Sequence, residues 1–249
     1  LDVCEEFNIP VTWATVGHLF LKSCNRNGGK PHSNIKRPEY FANNYWEFNN
    51  GDWFDADPCS NYKIDDCWYC PDLIELILSK KVKHEIGCHT FSHLDCTDQN
   101  CSPEVFNSDI DACRIAAKEF NIDLSSFVHP AHTIGNLDSL SQNGFTSYRT
   151  DYGNTLGYPE LYKNKLWEFK STWEFVSFDD WSVNYHIKRY REILKRSVKN
   201  NTVCVLWFHP SIDKRFVTEI MPAVFRDFNE NRGEVYITTA SDYADYLNN

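Results

Sequence analysis

Methionine occurs once, at Met221, and the chain opens on a leucine, so residue 1 does not read as a gene start. The opening Leu1-Asp2-Val3-Cys4-Glu5-Glu6-Phe7 has apolar residues at 1, 4 and 7, a helix already under way, with no N-capping residue before it. The expectation is a chain cut short at its N-terminus, its first strand missing, for which a signal peptide can be neither read nor excluded. Long apolar runs are also lacking. None approaches the roughly 20 residues of a membrane-spanning helix, and the longest, Val203 to Phe208, reads as a buried strand. No cluster of Lys or Arg relieves a net charge of −10, which makes the chain a poor binder of nucleic acid or anionic membranes. No repeat or linker divides it, so residues 1–249 read as one domain, and no obligate protein partner is evident.

What is present is a large apolar and aromatic content. Hydrophobic residues make up 42% and aromatics 15%, enough for a sizeable core and for a cleft whose rings stack on sugars or bases. The ten cysteines include several in apolar surroundings, such as Cys204 within Val203-Cys204-Val205-Leu206, where a free buried thiol is ordinary. A chain this long needs no disulfide framework, so the expectation is reduced cysteines and a cytoplasmic protein. Cys67-Trp68-Tyr69-Cys70 is a lone C-x-x-C. With Cys59 and Cys96 or Cys101 it could hold a structural zinc, but no second C-x-x-C follows.

Strand-like and helix-like segments alternate. Strands are expected within 7–17, 84–89, 126–130, 145–148, 166–169, 175–178, 203–209 and 235–238. Helices are expected from Pro71, from Ser102-Pro103, at 137–140, over 185–198 and 217–229, and from a Ser241 cap to the end. The strands read as buried on both faces, which makes this an α/β chain with a parallel sheet, open or closed into a barrel. Between about 23 and 71 periodicity is lost. Tyr40, Phe41, Tyr45, Trp46, Phe48, Trp53 and Phe54 argue for an ordered, aromatic-rich insertion or lid there.

In parallel α/β folds chemistry sits at the C-terminal ends of strands. Four such ends carry reactive groups: His89 to His93, His129-Pro130-Ala131-His132, Asp179-Asp180-Trp181, and His209-Pro210. His89 and His93 are four residues apart and can face one point. Two neutral imidazoles and a carboxylate form a ligand set that leaves positions open for water and substrate. A bare pair could equally cap a turn, but histidines at three strand ends and a carboxylate at a fourth favour a site.

These residues carry a resemblance. His89-Thr90-Phe91-Ser92-His93 resembles the H-[S/T]-x-x-H motif of the polysaccharide deacetylase (NodB-homology) family, and Leu206-Trp207-Phe208-His209 resembles its late L-x-x-H motif. Phe178-Asp179-Asp180-Trp181 looks like the family's D-W motif, and Thr12-Trp13-Ala14-Thr15-Val16-Gly17 is similar to its T-F-F-V-G run; order and spacing agree over nearly the whole chain. The stretches Trp68-Tyr69, 84–93 and 126–149 further resemble a subgroup associated with bacterial and archaeal surface-polysaccharide gene clusters. The resemblance implies a distorted (β/α) barrel of about seven strands and a metal-dependent hydrolase that removes an acetyl group from an N-acetylated sugar of a surface polysaccharide or its precursor. It implies His89 and His93 as metal ligands, Thr90 as a brace and His209 as general acid. Asp180 would tune His209, and Leu206, Trp181, His129, Pro130 and His132 would lie at the substrate. The cofactor implied is a divalent metal, zinc first, with cobalt, nickel or manganese as alternatives; the partner implied is a carbohydrate substrate.

Two departures stand out. The family's opening T-F-D-D motif, source of a metal-binding carboxylate and of the base, does not occur ahead of Thr12; Phe178-Asp179-Asp180 looks like it but sits in the D-W context. The third motif, Val128-His129-Pro130-Ala131-His132, lacks the family's Arg, leaving His129 or His132 as substitutes. Two rival readings follow: a catalytically silent carbohydrate-binding barrel, and a related metal amidohydrolase acting on a non-sugar amide. Among the lesser residues, His18 follows a strand and could reach the site but reads rather as a helix-capping histidine, Asp65-Asp66 reads as solvated loop, Glu168 reads equally as a support behind the site or as an ordinary strand residue, and Asp95 would crowd His93 and so reads poorly as a stand-in carboxylate.

Overall fold

The computed structural model describes residues 1–39, 52–151, 156–211 and 213–249. In chain order the elements are α1 (Asp2–Glu6), β1 (Thr12–Thr15), a 3-10 turn (Gly17–Phe20), β2 (Arg26–Asn27), β3 (Lys30–Pro31), α2 (Pro71–Ser79), β4 (Glu85–Cys88), α3 (Pro103–Lys118), β5 (Ser126–Val128), α4 (Leu137–Gln142), β6 (Ser147–Thr150), β7 (Glu160–Tyr162), β8 (Leu166–Lys170), β9 (Trp173–Glu174), α5 (Val183–Asn200), β10 (Leu206–Trp207), α6 (Met221–Glu230) and α7 (Ala240–Asn248). This is a mixed α/β chain with a mostly parallel sheet, as expected. The fold divides into two compact units: Trp13–Ser79 with Ile86–Tyr148, and Leu1–Thr12 with Lys80–Glu85 and Arg149–Asn249.

In the first unit β1, β4, β5 and β6 lie in that order, with β4 and β5 parallel and Cys88 beside Phe127. Ile86, Gly87 and Cys88 are all buried, the pattern of a strand covered on both faces. Ser102 caps α3 by accepting from the Val105 amide, Pro103 pre-sets the first turn, and Phe106, Ile110, Cys113 and Ala117 recur on one buried face. Phe127 of β5 meets Phe106 and Phe145 edge-on, with centroids 5.8 and 5.4 Å away. Gly17 follows β1 where a Cβ would stand 2.7 Å from Cys113 Sγ, so glycine lets α3 close on the strand end.

In the second unit the end of β6 lies beside β8, and β8 pairs antiparallel with β7. Thr150 Oγ1 donates to Glu168 Oε1 at 2.7 Å, giving Glu168 a structural partner. β9 and β10 run parallel, Leu206 beside Trp173 and Trp207 beside Glu174. Ser182 caps the 18-residue α5, and Asn201 ends it in the left-handed region at φ 51°. Phe175, Tyr190, Phe216, Ile220, Met221, Val224 and Phe225 bury together with Cys4, Phe7 and Ile9. A π-turn, Phe216–Ile220, leads into α6, which tolerates Pro222 in its first turn.

Several expected elements differ. No strand forms at 175–178: Tyr190 Oη takes the Val176 amide at 3.1 Å and His186 Nε2 takes the Phe178 amide at 3.0 Å, so side chains satisfy the donors a ladder would use. The 203–209 run keeps a strand only at Leu206–Trp207, because Val205 donates to the Thr172 hydroxyl at 3.0 Å. Residues 235–238 stay outside any strand, with the Val235 amide closing a turn onto Asn231 O at 3.1 Å. The cap of α7 is Thr239, which accepts from the Asp242 amide, and Ser241 lies inside the helix. The aromatics Tyr40, Phe41, Tyr45, Trp46 and Phe48 of the insertion lie outside the described residues.

Candidate functional site

The loop after β4 carries both histidines of the H-x-x-x-H motif. The His89 amide donates to Thr15 O at 3.0 Å and the Gly17 amide to Thr90 O at 2.7 Å, which fastens this loop to the one after β1. The His89 and His93 rings meet edge-on, with centroids 5.1 Å apart. His89 Nδ1 lies 2.6 Å from Val128 O; donation to that carbonyl puts the ring's lone pair on Nε2, the orientation a metal ligand needs. His89 is half-buried and His93 exposed. Thr90 and His93 hold left-handed backbone at φ 61° and 57°, which turns the chain tightly between the two rings. Thr90 is buried and its hydroxyl accepts from the Leu94 amide at 2.9 Å, the bracing expected of it. Asp109 on α3 completes the support, taking the Phe91 amide at 2.5 Å and the Ser92 hydroxyl at 2.5 Å. Asp95 does not fit the stand-in role. Oδ1 accepts from Thr97 and Oδ2 from Asn100, so both oxygens cap a turn.

The loop after β5 is also tightly wound. Ala131 and His132 take φ 44° and 59°, consecutive left-handed residues without glycine. His129 is buried with Nε2 3.0 Å from Gly135 O, Pro130 is buried, and His132 is exposed.

A second histidine centre lies in the same unit, and sequence reasoning missed it. His18, Cys24, His32 and Asp57 bring one ligand atom each within 4.8 Å of one another. Asp57 Oδ2 lies 2.9 Å from His18 Nε2, 2.8 Å from His32 Nε2 and 3.2 Å from Cys24 Sγ; the two Nε2 atoms are 3.0 Å apart. Asp57 Oδ1 accepts from the Tyr69 hydroxyl and the Cys59 amide, both at 2.8 Å. Burial pushes the Asp57 carboxyl up, but the bonds from His18, His32, Cys59 and Tyr69 outweigh it and hold the group well below the usual carboxylate range. Burial, with the Asp57 charge, pushes the Cys24 thiol up to about 12. His18, expected as a helix cap, instead projects from the 3-10 turn into this group. Three of the four residues sit in the insertion, where no periodicity marks them. The C-x-x-C cysteines are not part of this group, and all ten cysteines are free.

In the second unit His209 follows β10 and is exposed, its ring 5.5 Å from that of Trp207. The Arg149 guanidinium lies 4.9 Å over the same Trp207 ring. Burial raises the Glu174 carboxyl, with nearby His209 and Arg149 opposing the shift, so Glu174 lies close enough to His209 to interact with it. Asp180 is exposed in the turn before Ser182. Trp181 packs against Phe178, Tyr185 and His186 at centroid distances of 4.7, 4.8 and 5.2 Å, and Phe178 and Tyr185 keep much of their faces in solvent. Leu206 is half-buried on β10.

No family model matches the chain, and no curated protein does. Solved structures match it in fold. One is a Mycobacterium smegmatis protein assigned as a polysaccharide deacetylase, at a TM-score of 0.64 and 15% identity over 99% of this chain and 74% of that one. Another is the Xyl-CE4 domain of a multidomain xylanase from the hindgut metagenome of Trinervitermes trinervoides, at 0.52 and 11% over 99% and 82%. A third is PuuE allantoinase, at 0.56 and 12% over 96% and 89%. The chain therefore has the fold of the polysaccharide deacetylases, in line with the resemblance carried by its motifs.

Proposed function

We propose that this protein is a metal-dependent hydrolase that removes the acetyl group from an N-acetylated sugar of a surface polysaccharide or its precursor. The observation that carries the reading is the His89–His93 loop: two imidazoles at the end of a parallel strand, one with its tautomer held by Val128 O, in a polysaccharide-deacetylase fold. That donor set fits a divalent ion, zinc first and cobalt, nickel or manganese after it. Such an ion, when bound, polarises the amide carbonyl and acidifies water.

Residues of this chain fill several of the remaining roles, but not those of the carboxylate ligand or of the base that takes the proton from water, which the family's T-F-D-D motif supplies. His89 and His93 hold the cation side, and Thr90 and Asp109 fix the loop so that both rings keep one orientation. His209 donates the proton that the leaving nitrogen needs. Asp180 tunes that histidine, with Glu174 as a second carboxylate in its field. Leu206 offers an apolar wall to the acetyl methyl. Trp181, with Phe178 and Tyr185 beside it, offers faces on which a pyranose ring stacks. His129 and Pro130 shape the loop that presents His132 to substrate.

The allantoinase likeness favours a second reading, an amidohydrolase acting on a non-sugar amide. Turnover of N-acetylglucosamine oligomers and of a non-sugar amide by one preparation separates the two. The proposal expects acetate from the sugar, with His209→Ala lowering kcat by about 10²–10⁴. Turnover of the non-sugar amide alone would overturn it.

A further inference from the structure

We propose that His18, Cys24, His32 and Asp57 form a closed, four-ligand zinc centre that fastens the insertion to the H-x-x-x-H loop. It is separate from the His89–His93 pair and stands whether or not that pair hydrolyses an amide.

The argument is one of donors and acceptors. His18 Nδ1 lies 2.9 Å from Trp68 O, which can only accept, so the proton of a neutral ring is on Nδ1 and the lone pair on Nε2. That lone pair points at Asp57 Oδ2, 2.9 Å away, and at His32 Nε2, 3.0 Å away. Asp57 Oδ1 is already taken by Tyr69 and Cys59, so Oδ2 is the atom left to the group. Four ligand-type atoms therefore converge on one point, with His18 Nε2 and Asp57 Oδ2 facing each other lone pair to lone pair. Protons reconcile that contact only by charging His18 or by protonating Oδ2, the same oxygen that His32 Nε2 and Cys24 Sγ approach. One divalent ion reconciles them all.

The chemistry of the set selects zinc. Two imidazoles, a thiolate and a carboxylate are borderline-soft ligands in the number a tetrahedral site takes. With Zn²⁺, one thiolate and one carboxylate the centre is neutral, which burial demands: His18 is 5% exposed and Asp57 1%. Bonds of about 2.0–2.3 Å at a tetrahedral angle set ligand atoms about 3.3–3.6 Å apart. The observed 2.8 to 3.2 Å contacts at Oδ2 open by a few tenths of an ångström, and the wider separations in the group, up to 4.8 Å, close by about an ångström as the ligands gather. Four protein ligands leave no position for water or substrate, so the centre is structural. Its supports are in place: Trp68 O behind His18, and the Tyr69 hydroxyl and Cys59 amide behind Asp57.

The position gives the centre its purpose. Phe91, inside the H-x-x-x-H motif, packs its ring 5.5 Å from His18 and 5.1 Å from His32. The His18 amide donates to Phe91 O at 3.0 Å, and Trp53 Nε1 donates to Ser92 O at 3.1 Å. Residues 24, 32 and 57 of the insertion are thus gathered onto the turn that holds His89 and His93.

The test uses the full chain with zinc or cobalt alone. The His89→Ala/His93→Ala double variant is expected to retain one equivalent of zinc. Its cobalt-substituted form is expected to show a thiolate-to-cobalt charge-transfer band, lost on adding Cys24→Ser. No metal bound by the double variant, as a proton-held group would give, overturns the proposal, as does a band that survives Cys24→Ser. If the double variant does not fold, the zinc X-ray absorption of the wild-type chain decides. A sulfur shell at about 2.3 Å supports the centre, and an all-nitrogen and oxygen shell overturns it. Loss of acetate release with the sulfur shell intact would count against the proposed function and not against this centre.

Discussion

At the scale of single residues, Asp109 shows how the motif loop is held and what that costs. Burial pushes its carboxyl up to about 6 against the hydrogen bonds from Ser92 and Phe91 that lower it. A carboxyl raised in the folded state contributes stability that is full below its unfolded value, about 4, and is lost as pH rises through the folded one. The advantage of wild type over Asp109→Asn is therefore expected to shrink between pH 4 and pH 7, by at most about 3 kcal/mol. Urea unfolding across that range checks it, and a gap that widens with pH would contradict it. Residues of this kind divide the legible from the illegible. His89, His93 and Thr90 were readable because they sit in a short motif at a strand end. Asp109, sixteen residues beyond His93 on a helix, was not, because what marks it is a contact made only in the fold. His18, His32, Cys24 and Asp57 were missed for the same reason: their spacing obeys no period, and they meet only when the insertion wraps.

At the scale of elements, the helices were legible through their caps and apolar stripes, and the short strands were not. Ser102-Pro103 and Asn143-Gly144 mark ends that the structure keeps. The apolar runs at 175–178 and 235–238 do not become strands: side-chain acceptors take the Val176 and Phe178 amides, and a turn onto Asn231 O takes that of Val235. Ser182 accepts from the Tyr185 amide at the start of α5, and Ser182→Ala is expected to cost about 1 kcal/mol in denaturant unfolding without moving the m-value. The insertion makes a sharper test. With the proposed metal centre filled, Arg26 and Lys36 lie in a segment pinned at Cys24, His32 and Asp57; with zinc chelated, trypsin is expected to cut after these two residues several-fold faster. Cleavage indifferent to chelation would show that the insertion is held by its aromatic packing alone.

At the scale of the whole molecule, no helix among the described residues is long and apolar enough to cross a membrane. The α/β architecture and its mostly parallel sheet follow from alternating segments that the composition could bury. The solved structures it matches share its fold at 11 to 15% identity, so the fold persists where few side chains do. The function proposed for this chain then rests on its own strand-end histidines. The most direct measurement is acetate released from an N-acetylglucosamine oligomer by the zinc-loaded protein, by the same protein after chelation, and by His89→Ala and His93→Ala. Release that falls at least about a hundredfold in all three, and returns when zinc is restored to the chelated wild type, is the predicted result. Release by either histidine variant at the wild-type rate would contradict the account.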